Sequence, residues 1–228
     1  MKYSWVLFDA DDTLFDFSKS ARHAFAETLE QHGIPFQPAH FQTYKSINDE
    51  AWRAFELGQI TAMELRKVRF EKFLNAIGEY RDPLEMNAFY LQLLSKTKFL
   101  MEGAVQLVEA LLAKNYHLGL ITNGLKEVQR PRISNAGMAH YFEVIVVSDE
   151  IGVSKPHAGF FEHAFSMMKS PAKDQVLVVG DSLHSDIQGG NQFGLDTCWL
   201  NSNAAANLTE IQPIWQIRRL EELHDILA

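Results

Sequence analysis

The segment YSWVLFDADDTL, residues 3–14, joins an apolar run directly to a cluster of acids. Tyr3–Phe8 is apolar, with aromatic and β-branched side chains and no strict alternation, which predicts a buried β-strand. Asp9 and Asp11 follow it, and side chains two residues apart at a strand end point to the same side. We therefore predict that both carboxylates belong to one site beyond the end of this strand.

Four more apolar runs of the same kind occur later in the chain, at His117–Ile121, Val144–Val147, Val176–Val179 and Thr197–Leu200. Single amphipathic helical patterns lie between them. This alternation predicts an α/β fold in which helices cover both faces of a doubly wound parallel sheet. Ligands bind such sheets beyond the carboxyl ends of the strands, so we expect the functional residues directly after each strand.

The segment between the first two strands is far longer than a crossover connection requires. It carries four helical patterns, within Ala21–Leu29, Phe41–Phe55, Phe70–Ile77 and Met86–Leu94. Thr61 and Glu64 form a capping box before the third pattern. We predict a helical cap at residues 16–98 that lies over the site end of a catalytic core formed by residues 1–15 and 99–228.

Polar side chains also follow the later strands. Thr122 and Asn123 supply a hydroxyl and an amide after the second strand, and Lys155 lies beyond the third. Asp181 and Asp186 follow the fourth. Because the carboxyl ends of parallel strands lie at one edge of a sheet, we expect all these groups to converge on the first acid pair.

This combination of groups indicates phosphoryl transfer. Two carboxylates about 4 Å apart repel by ~4 kcal/mol at an effective dielectric constant near 20, and an acidic site that lacks Cys and His suits Mg²⁺. Thr122, Asn123 and Lys155 are donors suited to the oxygens of a phosphate. An aspartate in line with phosphorus can form an aspartyl-phosphate, and an acid two residues on can protonate the leaving oxygen. Asp9 and Asp11 fit that pair.

Taken in order, these motifs resemble those of the haloacid dehalogenase (HAD) superfamily. They are Asp9-Ala10-Asp11-Asp12-Thr13, Thr122-Asn123-Gly124, Lys155-Pro156 and Gly180-Asp181-Ser182 with Asp186. The helical segment between the first two resembles the first type of cap in that superfamily. The resemblance implies that Asp9 is the nucleophile and Asp11 the general acid and base, and that Thr122, Asn123 and Lys155 bind the phosphate.

The same resemblance implies a Mg²⁺ site. Its ligands would be Asp9, the backbone carbonyl of Asp11 and Asp181, with Asp186 beside or behind the metal. One departure lies nearby, because Pro131 falls inside the helix predicted after the second strand. Proline removes a backbone donor, so we expect a kink near the second turn of that helix, beyond the amides of its first turn.

Within the superfamily, the chain resembles the bacterial pyrimidine 5′-nucleotidases in the cap segment Asn48–Phe70 and in Thr197–Asn201. That resemblance implies hydrolysis of pyrimidine nucleoside monophosphates, including non-standard ones. A sugar-phosphate phosphatase, a phosphoglycolate phosphatase or a phosphomutase is an alternative within the superfamily. A true haloacid dehalogenase needs no acid at position 11. A phosphoaccepting receiver module is an alternative of another class, but receivers lack the large insertion and the second acid.

Composition sets further limits. Hydrophobic residues make up 46% of the chain, which excludes low-complexity disorder and collagen. A net charge of −8 argues against polymeric nucleic acid or an anionic membrane as partner, although a bound cation can still attract phosphate. Cys198 is the single cysteine, and the apolar N-terminal run is too short for a signal peptide. We expect a soluble cytoplasmic enzyme, monomeric or homodimeric, that binds a small phosphorylated substrate.

Overall fold

The computed structural model describes residues 2–227, apart from the side chain of Glu56. They form two compact units. One is built from the two ends of the chain, up to Phe17 and from Lys98 onward, and the other is Ser18–Thr97. We call them the α/β unit and the helical unit, and each is described separately.

The helical unit is built from four helices, the first of which begins at the junction with the α/β unit. They are α1 (Phe17–Gln31), α2 (Pro38–Glu56), α3 (Ala62–Ile77) and α4 (Pro83–Leu94). The capping box predicted from Thr61 and Glu64 is present at the start of α3. Its core is aromatic, and the rings of Phe25 and Tyr44 stack with centroids 4.4 Å apart. This packing brings α1 against α2 through large apolar side chains.

A buried arginine joins three of these helices. Arg69 of α3 donates from Nε to Oδ1 of Asn87 on α4 at 2.9 Å, and from Nη1 to Oδ1 of Asn48 on α2 at 3.2 Å. Arg69 lies over the ring of Tyr90, and all four residues are buried. Because a buried charge must be solvated by protein groups, these amides anchor the interior of the helical unit.

The α/β unit contains one parallel sheet, which confirms the predicted fold class. Within the described residues its strands are β1 (Trp5–Asp9), β2 (His117–Thr122), β3 (Val144–Val147), β4 (Val176–Gly180), β5 (Asp196–Leu200) and β6 (Trp215–Ile217). The strand order is β3-β2-β1-β4-β5-β6. The first five lie within two residues of their predicted positions. The sixth was not predicted, because it is a short edge strand in which Trp215 and Gln216 are exposed.

Helices cover both faces of this sheet. Among the described residues of the α/β unit, the α-helices are α5 (Ala104–Ala113), α6 (Lys126–Asn135), α7 (Ser148–Ile151), α8 (Ala158–Met167), α9 (Gly189–Phe193) and α10 (Leu223–Ile226). A π-helix, Leu183–Gln188, follows β4 and carries Asp186. Phe8 of β1 packs in the same cluster as Leu111 of α5, whereas Leu7 packs with Phe161 of α8. Alternate residues of the central strand therefore contact opposite helical layers, as the uniformly apolar strands predict.

The structure shows how far the helix that contains Pro131 extends. Helix α6 runs on through Pro131 to Asn135, so the proline does not end it. The expected kink remains a prediction.

Among residues 2–227, no helix combines the length and the apolar composition that crossing a bilayer requires.

Candidate active site

Lys155 lies at the centre of a buried ion cluster beyond the strand ends. Its Nζ donates to Oδ1 of Asp9 at 2.6 Å and to Oδ1 of Asp186 at 2.6 Å, and also to the carbonyl of Ile121 at 2.9 Å. The lysine is 1% exposed and Asp186 is fully buried. The structure therefore joins groups from the ends of β1 and β2 and from the segments after β3 and β4, as the parallel sheet predicts.

Asp181 completes an acidic group beside this lysine. Asp9, Asp181 and Asp186 each present a carboxylate oxygen, and these oxygens all lie within 4.8 Å of one another. A set of oxygen donors at this spacing fits a hard divalent cation such as Mg²⁺. The indole Nε1 of Trp199 donates to the backbone carbonyl of Asp181 at 2.8 Å, which ties this residue to β5.

The end of β4 leaves space for Asp186 by having no side chain. A Cβ added to Gly180 would lie 2.3 Å from Oδ2 of Asp186, so any larger residue would push the carboxylate away. The backbone N–H of Ser182 donates to the same Oδ2 at 3.1 Å. Glycine is therefore required at this strand end for the aspartate to turn inward.

Burial makes the ionised cluster costly without a cation. Burial raises the pKa of Asp9 to about 7, with the charge of Asp186 adding to the rise and that of Lys155 opposing it. Burial and the neighbouring carboxylates also raise the pKa of Asp181 well above its usual value. Burial lowers the pKa of Lys155, but the two carboxylates outweigh this effect and leave it above the usual value. A divalent cation would relieve the repulsion between the carboxylates.

Of the two residues predicted to bind phosphate after β2, Asn123 contacts the segment that carries Lys155. Its Oδ1 accepts from the backbone N–H of Lys155 at 2.8 Å, and its Nδ2 donates to the backbone carbonyl of Lys155 at 2.8 Å. One amide hydrogen of Asn123 remains for another acceptor. Thr122 is the buried last residue of β2. The phosphate-binding role of both residues stays a prediction.

The carboxylate of Asp11 is held by helix α6 rather than by the lysine cluster. Its Oδ2 accepts from Nε2 of Gln129 at 2.7 Å, and its Oδ1 accepts from Nη2 of Arg132. Burial lowers the pKa of Arg132 to about 10, and the charge of Asp9 opposes the change. Neither Gln129 nor Arg132 was predicted from the sequence. Their spacing of three on a helix that follows a functional strand end could have indicated them.

The fold and this constellation of groups define a hydrolase. The chain belongs to the haloacid dehalogenase-like hydrolase family, whose model matches residues 3–194. This match confirms the superfamily that the motifs indicated.

Curated relatives span the whole chain. Pyrimidine 5′-nucleotidase YjjG of Escherichia coli strain K12 is 34% identical over 228 residues, covering 100% of this chain and 99% of that protein. Pyrimidine 5′-nucleotidase PynA of Streptococcus pneumoniae strain R6 is 32% identical over 227 residues, covering 100% and 96%. The predicted resemblance to pyrimidine 5′-nucleotidases is therefore confirmed at the level of sequence.

A solved structure agrees with the fold. The crystal structure of the HAD-hydrolase YfnB from Bacillus subtilis, bound to magnesium, superposes with a TM-score of 0.94 at 36% identity and covers 100% of both chains. The similarity extends over both units of the chain.

Proposed function

We propose that this protein is a Mg²⁺-dependent phosphomonoesterase that hydrolyses pyrimidine nucleoside 5′-monophosphates through an aspartyl-phosphate on Asp9. The observation that carries the chemistry is the buried cluster in which Lys155 joins Asp9 to Asp186 beside Asp181. The nucleotide substrate rests on the two pyrimidine 5′-nucleotidases that are similar to the chain from end to end.

Asp9 is the proposed nucleophile. Its carboxylate attacks phosphorus, the bond from phosphorus to the ester oxygen breaks, and Asp11, which enters this step protonated, gives that oxygen its proton. Water then attacks phosphorus of the aspartyl-phosphate, and Asp11 takes a proton from that water. The bond from phosphorus to Asp9 breaks, so inorganic phosphate leaves and the Asp9 carboxylate is restored. Lys155 holds Oδ1 of Asp9, which fixes the attacking group. The sum is one ester and one water converted to an alcohol and phosphate.

Asp9, Asp181 and Asp186 are the residues that would hold Mg²⁺, together with the backbone carbonyl of Asp11. When bound, the cation neutralises charge on these carboxylates and on the phosphate oxygens. Thr122 and the remaining amide hydrogen of Asn123 would bind the phosphate through hydrogen bonds, and the positive charge of Lys155 would attract it. These assignments follow the family motifs residue by residue and stand as proposals.

A turnover panel tests the substrate class. Uridine and thymidine monophosphates, including deoxy and modified forms, should be hydrolysed with higher kcat/KM than purine nucleotides or sugar phosphates. If a sugar phosphate or phosphoglycolate exceeds every pyrimidine nucleotide tenfold, about 1.4 kcal/mol of transition-state stabilisation, the substrate proposal is wrong while the phosphatase proposal stands.

The reaction class has its own test. p-Nitrophenyl phosphate should be hydrolysed with Mg²⁺ and much more slowly after the metal is removed by chelation. A receiver module or a haloacid dehalogenase would not turn this ester over. Absence of turnover on every phosphomonoester tried would overturn the reaction class itself.

A further inference from the structure

The side chain of Arg132 is fully buried, yet much of its hydrogen-bonding capacity is unused. Among the described residues, its ion pair is with Asp11, while its Nε and Nη1 have no hydrogen-bond partner. The guanidinium lies over the ring of Phe15, 4.9 Å from its centroid, and near that of Phe17 at 5.7 Å. Burying a charge with unpaired donors is costly, and an apolar residue would fill this position at lower cost. The hydrogen bonds that Arg132 does make are with Asp11 and Gln129.

Gln129 closes a three-residue ring with this pair. Its Nε2 donates to Oδ2 of Asp11 at 2.7 Å, and its Oε1 accepts from Nη2 of Arg132 at 3.1 Å. Gln129 is 2% exposed, so packing restricts the movement of its side chain. Both carboxylate oxygens of Asp11 are thus held by donors from one helix.

The segment before α6 is shaped to accept this glutamine. A Cβ added to Gly124 would lie 2.4 Å from Cγ and from Nε2 of Gln129. The glycine that follows Thr122 and Asn123 therefore provides the space in which Gln129 reaches Asp11.

Asp11 needs such support more than its neighbours do. Its side chain is 30% exposed, whereas the Asp9 side chain is 10% exposed and that of Asp186 is buried. A partly exposed carboxylate is free to rotate, and a proton donor must face one oxygen atom of the substrate. Two donors from the buried face of α6 remove that freedom.

We propose that Arg132 and Gln129 are positioning residues that orient the carboxylate of Asp11 for proton transfer to the leaving group. This inference rests on the proposed function, because it requires that Asp11 be the general acid and base. It adds to the site two residues of α6 that do not touch the substrate and act through Asp11.

The test compares leaving groups that do and do not need a proton. The variants are Arg132→Lys, Arg132→Met and Gln129→Leu, assayed with p-nitrophenyl phosphate and with the best alkyl phosphate of the turnover panel. We expect kcat/KM for the alkyl ester to fall about 10- to 100-fold and that for the aryl ester less than about threefold. Asp11→Asn should shift the ratio in the same direction.

Arg130→Met is the matched control, because Arg130 lies on the same helix, is exposed, and pairs with Glu150 instead. It should leave the alkyl-to-aryl ratio unchanged. If Arg132→Met does not fold, Gln129→Leu removes no charge and carries the same comparison. Equal losses on both esters for the foldable variants would overturn the positioning role. A wild-type protein without phosphatase activity would instead overturn the proposed function.

Discussion

Charge balance around Lys155 explains why one site combines a buried ammonium with several acids. When ionised, Asp9, Asp181 and Asp186 carry three negative charges, and Lys155 neutralises one of them. The remaining two negative charges match one divalent cation. The lysine therefore keeps two of the carboxylates in place but cannot balance the site by itself, so a bound divalent cation would stabilise this cluster.

Replacing Asp9 tests its proposed role as the nucleophile. Asp9→Asn keeps the shape of the side chain but removes the attacking charge, so turnover should fall by at least about 10³-fold. Phosphate release from p-nitrophenyl phosphate measures this change, and circular dichroism checks the fold. Asp174→Asn, an exposed aspartate before β4, is the control and should retain full activity. Retention of more than roughly a tenth of the rate by Asp9→Asn would exclude this nucleophile.

Helices α2, α3 and α4 are joined through polar as well as apolar contacts. Asn87 accepts from both Nε and Nη2 of Arg69, and Asn48 accepts from Nη1. Hydrogen bonds to a buried charge contribute more than neutral ones, because the charge has no water to replace them. The aromatic core sets how closely the helices pack, and this network adds directional contacts among three of them.

Removing one acceptor should therefore destabilise the helical unit. Asn87→Ala leaves two donors of Arg69 without a partner, and we expect a loss of about 2–4 kcal/mol in the free energy of unfolding. Urea unfolding followed by far-UV circular dichroism measures it. Gln92→Ala, an exposed change on the same helix, should cost less than about 0.5 kcal/mol. If the two variants had equal free energies of unfolding, the hydrogen bonds of Arg69 would not stabilise the helical unit.

The raised pKa values of the clustered acids couple the stability of the protein to pH and would couple it to metal binding. Burial raises the pKa of Asp9 from 3.8 to about 7, so the folded protein binds this proton more tightly than the unfolded chain. The stability that Asp9 contributes without metal is fully present below about pH 4 and is lost as the pH rises through about 7. Mg²⁺ requires the ionised carboxylates, so its stabilising effect should increase over the same range.

Thermal unfolding at two pH values tests this coupling. The rise in Tm on adding Mg²⁺ should be larger at pH 8 than at pH 5.5. Asp181→Asn removes one of the three clustered carboxylates and should abolish most of that rise at pH 8. A rise of equal size at both pH values would show that the acids are already ionised in the metal-free protein.

Local patterns in the sequence predicted the first five strands, the fold class and the positions of the acids after β1 and β4. These features are local, because an apolar run encodes burial on both faces and the end of a parallel strand defines where ligands bind. The helices between β1 and β2 were also predicted, because their signals are local. Thr61 and Glu64, for example, cap α3 through contacts three residues apart. β6 was not predicted, because a short edge strand with exposed residues has no continuous apolar run.

The pairing of polar side chains depends on tertiary packing. Asp11 meets Arg132 across 121 residues of chain, and Asn123 meets the backbone of Lys155 across 32. Periodicity indicates which face of an element is buried, but it does not indicate which polar groups meet inside. That outcome depends on how the sheet aligns its strand ends and on the space left by Gly124 and Gly180, so it emerges only when the whole unit packs.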